Sequence, residues 1–228
     1  MPSASVAADW SAAFTRALEI NSHDSNALAA KAYYLTLTEW DWKRAGELYR
    51  QAAQFGMSCQ AANLYGMMYL EPLGKWTELQ AFYNAILNTD PYRSDILWDY
   101  ARSSLNHRAP QEAIALWDRI LEAQPNDADP WAGKADAYAA RGDRAAARAA
   151  LEKIEVPLRN PGNSCYHYLH ALWALGDRET VMQLVAEYER EAPTNTGYRQ
   201  ALTAIYPVIG ENDKALASYE TACAARLY

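Results

Sequence analysis

Cysteine is scarce in this chain of 228 residues, and its three copies, Cys59, Cys165 and Cys223, lie far apart. No Cys-x-x-Cys pair is present, so the sequence indicates neither a disulfide framework nor a cysteine-based zinc site. The odd number and wide spacing of the cysteines favour a reducing compartment. We therefore expect a cytoplasmic protein.

Long hydrophobic runs and an excess of positive charge are also missing. No stretch approaches the roughly 18 consecutive apolar residues of a membrane-spanning helix, and no signal-peptide pattern opens the chain. The 28 acidic residues outnumber the 21 basic ones, which gives a formal net charge of −7. Because no cluster of Lys and Arg stands out, we expect neither nucleic-acid nor membrane partners.

Motifs for catalysis and cofactor binding are absent as well. The sequence contains no GxGxxG, P-loop, HExxH or GxSxG pattern, and no nucleophile with a positioned base. His167 and His170 lie three residues apart near Cys165, but no further ligand pair of similar quality accompanies them. We expect no enzymatic activity, no cofactor and no metal. Ordinary packing is the preferred interpretation of both histidines, and a metal-dependent enzyme is a distant alternative.

The chain does contain a repeat of 34 residues, marked by Ala45, Leu79, Ala113, Ala147, Val181 and Ala215. A fixed period of this size is typical of stacked helical repeats. Ala, Leu, Glu, Arg and Gln are abundant, whereas runs of Val, Ile and Thr are few, so helix is favoured throughout.

Each repeat divides into two helices at a break that contains Gly or Pro. The breaks are Gly74-Lys75, Arg108-Ala109-Pro110, Gly142-Asp143, Gly176-Asp177 and Gly210-Glu211. The first helices are predicted at 26–38, 61–73, 95–107, 129–141, 163–175 and 197–209. The second helices are predicted at 42–55, 76–88, 110–123, 144–155, 178–191 and 212–225.

Two local features accompany these helices. Asp129 and Asp95 are expected to cap the helices that they begin. A leading half-unit carries the helical stripe Trp10, Phe14, Ala17 and Ile20. It is offset by 35 residues from the next unit, so one residue is inserted near Thr38-Glu39-Trp40.

The unit from Ala128 to Pro161 carries a large–small–aromatic pattern through Trp131, Ala135, Tyr138, Gly142, Ala147 and Leu151. In this pattern and its period, the sequence resembles the tetratricopeptide repeat (TPR) family. The resemblance implies an all-α fold, an α-α superhelix or solenoid of about six and a half helix pairs. It implies a single array over residues 1–228, with a leading half-repeat at 9–21 and full repeats at 26–58, 59–92, 93–126, 127–160, 161–194 and 195–228.

The resemblance also implies that the first helix of each pair lines a concave groove. The apolar and aromatic residues expected to contact a partner there are Tyr33, Leu64, Met68, Trp98, Leu105, Tyr166 and Trp173, and the polar ones are Arg102, Asp136 and His170. The alternative is that these residues pack against neighbouring units. Each of the six first helices contributes four positions to this groove, and Arg102 is the only cation among these 24. The basic clamp with which the family binds chaperone tails is therefore disfavoured.

These features predict a non-catalytic scaffold for protein–protein interaction that binds a peptide segment or a helix in the groove. The alternative is a sensor or regulatory module, because Asn26 to Ala53 is also similar to TPR arrays of larger bacterial transcriptional regulators or nucleotide cyclases. Since no polar capping helix closes either end, we also expect end-to-end self-association or continuation into a longer chain.

Overall fold

The computed structural model describes residues 4–154 and 165–224, and all the regular structure in these ranges is helical. The chain forms two compact units, Met1–Asp99 (unit 1) and Tyr100–Tyr228 (unit 2). None of the helices in the described ranges has the length and apolar character needed to cross a membrane. The predicted all-α helical-repeat fold class is confirmed.

Thirteen α-helices are present in the described ranges. Unit 1 contains α1 Ala4–Ile20, α2 Ser25–Tyr34, α3 Trp42–Gln54, α4 Cys59–Tyr65, α5 Trp76–Thr89 and the start of α6 Ser94–Asn106. Unit 2 contains the rest of α6 and α7 Pro110–Ala123, α8 Ala128–Ala140, α9 Arg144–Leu151, α10 Cys165–Leu175, α11 Arg178–Glu191, α12 Thr196–Ile209 and α13 Asn212–Ala224.

The predicted helix pairs agree with these bounds. Helices α7 and α11 begin and end at the predicted residues, whereas α9 ends at Leu151, four residues before its predicted end. The predicted positions 155, 163, 164 and 225 lie outside the described residues. The predicted breaks are also confirmed, since Gly142 and Gly210 adopt left-handed φ angles of 85° and 86°. The repeat boundaries remain a prediction.

Aspartate side chains cap several of the helices. Asp143 caps α9, and the backbone N–H of Ala146, followed by the Arg141 side chain, lowers the pKa of its carboxyl. The prediction that Asp129 caps α8 is wrong, because the helix begins at Ala128 and Asp127 is the cap. The carboxylate of Asp127 accepts a hydrogen bond from the backbone N–H of Asp129 at 3.1 Å. Short polar side chains one or two residues apart can each serve as caps, so their position alone does not decide which does.

Two first helices of unit 1 end in π-helical turns, Leu35–Glu39 after α2 and Gly66–Leu70 after α4. A π turn is wider than an α-helical turn and often arises where the helix contains one extra residue. The first π turn coincides with the predicted insertion, and it is followed by the capping residue Trp40, whose φ is 55°. The 34-residue spacing gives no signal for the second turn, because the period continues through it unchanged.

A glycine allows close packing in the core of unit 1. A Cβ atom on Gly46 would overlap the hydroxyl of Tyr69, which donates a hydrogen bond to the carbonyl of Trp42 at 2.8 Å. Tyr49 is fully buried, with ring centroids 5.1 Å from Tyr65 and 5.2 Å from Tyr69. These contacts hold α3 against α4 and its π turn, so the tyrosines of this core are structural.

Unit 2 is built from successive helix pairs. Helices α8 and α9 contact each other, as do α12 and α13, and the first helices α8, α10 and α12 contact one another in turn. Trp117 of α7 is fully buried against Gly133 of α8, where a Cβ atom would overlap the indole ring. Trp117 therefore belongs to the core, whereas Trp131 is only half-buried beside a core cluster.

Candidate interaction surfaces

A groove of about 410 Å³ lies in unit 1 between α1, α2 and α4. We call it the α1–α2–α4 groove, and its lining residues are Trp10, Ala13, Phe14, Ala17, Asp24, Asn26, Ala27, Ala30, Tyr33, Ser58, Gln60, Ala61 and Leu64. Most of this lining is apolar. The polar side chains belong to the beginnings of α2 and α4 and to the residues before them.

Aromatic rings in perpendicular arrangements form one wall of the groove. The ring centroids of Trp10 and Tyr33 are 5.6 Å apart with an angle of 67° between the planes, and Trp10 also meets Tyr34 edge-on at 6.1 Å. Phe14 is buried and contacts Tyr34 at 5.4 Å. Edge-to-face contacts of this kind orient the rings. Burial raises the pKa of the Tyr33 hydroxyl, so this side chain is neutral at physiological pH.

The polar end of the groove contains the cap of α2. One carboxylate oxygen of Asp24 accepts hydrogen bonds from the backbone N–H groups of Asn26 and Ala27, each at 3.0 Å. Its second oxygen has no hydrogen-bond partner among the described residues. Ser58 caps α4 through the N–H of Ala61 at 3.3 Å. Asp24 therefore brings a half-buried negative charge to the lining of the groove.

Two of the four predicted partner-binding residues of unit 1, Tyr33 and Leu64, line this groove. Met68 is 45% exposed in the second π turn, and Trp98 is half-buried on α6; neither belongs to the groove lining. Sequence reasoning missed Trp10 and Asp24, because it placed Trp10 in the helical stripe of the leading half-unit and gave Asp24 no role.

In unit 2, Arg102, Asp136 and His170 occupy equivalent positions, 34 residues apart, on α6, α8 and α10. Asp136 was expected to be exposed in the groove, and this expectation is wrong: only 8% of the residue is exposed. One of its carboxylate oxygens lies 2.7 Å from Nδ1 of His167 and 3.8 Å from Nδ1 of His170. The closer histidine, His167, donates a hydrogen bond that satisfies this buried carboxylate in place of water.

His167 is buried and electrically neutral at physiological pH. Burial lowers the pKa of its imidazole, and this effect outweighs the hydrogen bond and charge of Asp136, which raise it. Because an ionised carboxylate only accepts, Nδ1–H of His167 is the donor. The described residues contain no group of three or more His, Cys, Asp or Glu side chains arranged to hold a metal ion. The hydrogen bond joins α10 to α8, and we assign it a structural role on that ground.

The remaining predicted residues of unit 2 are half-buried. The ring of Tyr166 lies 3.9 Å from that of His167 and 5.7 Å from that of His170. The guanidinium of Arg178 lies 4.0 Å from the ring centroid of Trp173, a cation–π contact. Leu105 is half-buried on α6. The rings of Tyr166 and Trp173 thus already contact other side chains within unit 2.

No protein-family model matches the chain, and no curated protein matches it. Among solved structures, it is similar to PilF from Pseudomonas aeruginosa, with 22% identity and a TM-score of 0.54 over 82% of this chain and 85% of PilF. YrrB, described as a TPR protein with an unusual peptide-binding site, gives 17% identity and a TM-score of 0.48 over 75% and 79% of the two chains. A structure of Naa15/Naa10 bound to HypK-THB gives 18% identity and a TM-score of 0.49 over 92% of this chain and 33% of the matched one. By its helices and its similarity to PilF, the chain has an all-α helical-repeat fold.

Proposed function

We propose that the chain is a non-catalytic protein-interaction module that binds a peptide segment or a helix of a partner protein. The observation that carries this proposal is the α1–α2–α4 groove, which combines an apolar lining with the oriented rings of Trp10 and Tyr33. Exposed apolar surface and aromatic anchors are typical of sites where proteins bind one another.

The size of the groove supports a short segment as its ligand. Its volume of about 410 Å³ lies towards the lower end of the usual range for binding pockets. It has room for a few side chains of a partner. Because Trp10 and Tyr33 are already oriented by their mutual contact, less conformational entropy is lost when a segment binds.

The proposal extends to predicted residues outside the groove. Each of them is at least partly exposed, so each can touch a partner: Met68, Trp98, Arg102, Leu105, Tyr166, His170 and Trp173. Asp136 has an indirect role instead, since its carboxylate is buried and bound to His167.

Peptide selection followed by affinity measurements tests the proposal. A peptide selected from a random 12-residue library on the wild-type protein is labelled with a fluorophore, and its Kd is measured by fluorescence anisotropy. We expect Leu64→Asp to weaken binding at least about tenfold, because it places a charge in the apolar lining.

Leu73→Asp is the matched control, because Leu73 is 42% exposed and lies outside the groove. We expect its Kd to stay within about twofold of wild type. Circular dichroism verifies that both variants are folded, and Leu64→Ala replaces Leu64→Asp if the latter unfolds. Equal affinities of the folded Leu64 variant and the wild type would show that the segment binds elsewhere.

A further inference from the structure

The α1–α2–α4 groove is lined by aromatic rings and, at its polar end, by a single carboxylate, that of Asp24. We infer that it receives the cationic side chain of a lysine or arginine in the partner segment. This inference rests on the proposed function and specifies the chemistry of the partner at the same site.

The aromatic wall is suited to a cation on an aliphatic stem. The ring planes of Trp10 and Tyr33 stand at 67° to each other in an edge-on contact, and both residues line the groove. A lysine or arginine head group is attracted to a ring face within about 6 Å of its centroid. Leu64 and the alanines of the lining offer an apolar surface to the methylene groups of such a side chain.

The charge of the groove also favours a cation. Among the described residues of the lining, Asp24 is the only acidic or basic one, and its second carboxylate oxygen has no hydrogen-bond partner in the described part of the chain. None of these lining residues is basic. Residues 1–99 carry 11 acidic and 7 basic side chains, a net charge of −4. The net charge of unit 1 therefore has the same sign as the charge of Asp24 and adds to its attraction for cations.

The beginning of α2 has the opposite electrostatic preference, since helix N-termini attract anions. Asp24 already satisfies the N–H groups of Asn26 and Ala27 there. Its full negative charge also exceeds the roughly half positive charge of a helix N-terminus. An added anion would be repelled by Asp24, whereas a cation would be attracted to its carboxylate.

Small organic ions allow a direct test by NMR. The probes are n-butylammonium and n-butylguanidinium, with butyrate and 1-butanol as an anionic and a neutral counterpart of similar length. The readout is the indole N–H signal of Trp10, assigned by its disappearance in Trp10→Phe. For the wild type we expect both cations to bind at least about fivefold more tightly than 1-butanol, and butyrate to bind more weakly than 1-butanol.

Asp24→Asn is the informative variant, because asparagine preserves the helix cap while it removes the charge. We expect this variant to lose the preference for cations over 1-butanol. Asp41→Asn is the matched control, since Asp41 caps α3 in the same unit but does not line the groove. It is expected to keep the wild-type preference.

Equal binding of butylammonium and 1-butanol by the wild type would overturn the inference. So would an unchanged preference for cations in Asp24→Asn. The selected peptide separates this failure from failure of the proposed function. If Leu64→Asp weakens the peptide and Asp24→Asn does not, the groove binds a partner but does not recognise a cation. If neither variant weakens the peptide, both proposals fail.

Discussion

Nδ1 of His167 donates a hydrogen bond of 2.7 Å to the carboxylate of Asp136, and this bond joins α10 to α8 within unit 2. Both residues are buried, so loss of the acceptor leaves a buried N–H without its partner. We expect Asp136→Ala to lower the free energy of unfolding by about 1–3 kcal/mol in urea denaturation. Asp136→Asn retains an amide oxygen as acceptor and should cost less. A loss in Asp136→Asn as large as that in Asp136→Ala would contradict this account.

The buried imidazole of His167 makes the stability of the protein depend on pH. Its pKa is lower in the folded chain than in the unfolded chain, because burial disfavours the charged form. Between these two pKa values the unfolded chain binds more protons, so the free energy of unfolding decreases as the pH falls. The slope contributed by one such group is at most about 1.4 kcal/mol per pH unit, over a window that begins near the unfolded value of about 6.5 and extends downward.

The measurement is the urea midpoint at a series of pH values from about 7.5 to 5.5. We expect His167→Asn to reduce the pH dependence, since asparagine keeps a donor for Asp136 but does not titrate in this range. His23→Asn serves as control, because His23 is exposed in unit 1. If His23→Asn flattens the profile and His167→Asn does not, the assignment to His167 is wrong.

Because Gly133 lies against the ring of Trp117, we expect a methyl group added at position 133 to destabilise the protein. Alanine normally stabilises a helix interior relative to glycine by about 0.5–1 kcal/mol. Here the added Cβ overlaps the indole ring, so we expect Gly133→Ala to destabilise the protein by about 1–3 kcal/mol. In a Trp117→Leu background, which removes the ring, the same substitution should cost much less. Equal costs in the two backgrounds in thermal or urea unfolding would exclude a steric origin.

The thiol of Cys59 is expected to react slowly despite its exposure. A hydrogen bond to Asp95 raises the pKa of this thiol, with a smaller contribution from burial, and so reduces the thiolate fraction. We expect Asp95→Asn to increase the rate of iodoacetamide alkylation at Cys59 at least about twofold near neutral pH. Mass spectrometry of the Cys59 peptide measures this rate separately from those of other cysteines. Slower alkylation of Cys59 in Asp95→Asn would contradict the conclusion that Asp95 raises the pKa of this thiol.

The sequence predicted the helices well because their signals are local and periodic. The 34-residue spacing and the breaks at Gly142 and Gly210 define where helices begin and end, and the backbone angles agree. Ile20 shows the limit of such a pattern. It was assigned to the helical stripe of α1 but is 74% exposed, because helical phase identifies a face without showing whether a neighbour covers its last turn.

The candidate site was less predictable because it depends on contacts between helices. Tyr33 and Leu64 were found from their repeat positions, whereas Trp10 and Asp24 belong to the groove only through the packing of α1 on α2. Asp136 was misplaced for the same reason. Its repeat position indicates exposure, but His167, 31 residues later, supplies the partner that allows its burial.

Site-specific photo-crosslinking tests the central claim, that the α1–α2–α4 groove binds a partner segment, most directly. Tyr33 lines the groove and Tyr92 is 58% exposed outside it, so each is replaced in turn by the photoreactive p-benzoylphenylalanine. The selected peptide is then irradiated with each protein, and the crosslinked product is quantified by mass spectrometry. We predict a crosslink from position 33 and none above background from position 92. Equal yields at both positions, or a crosslink from position 92 alone, would contradict the assignment of binding to this groove.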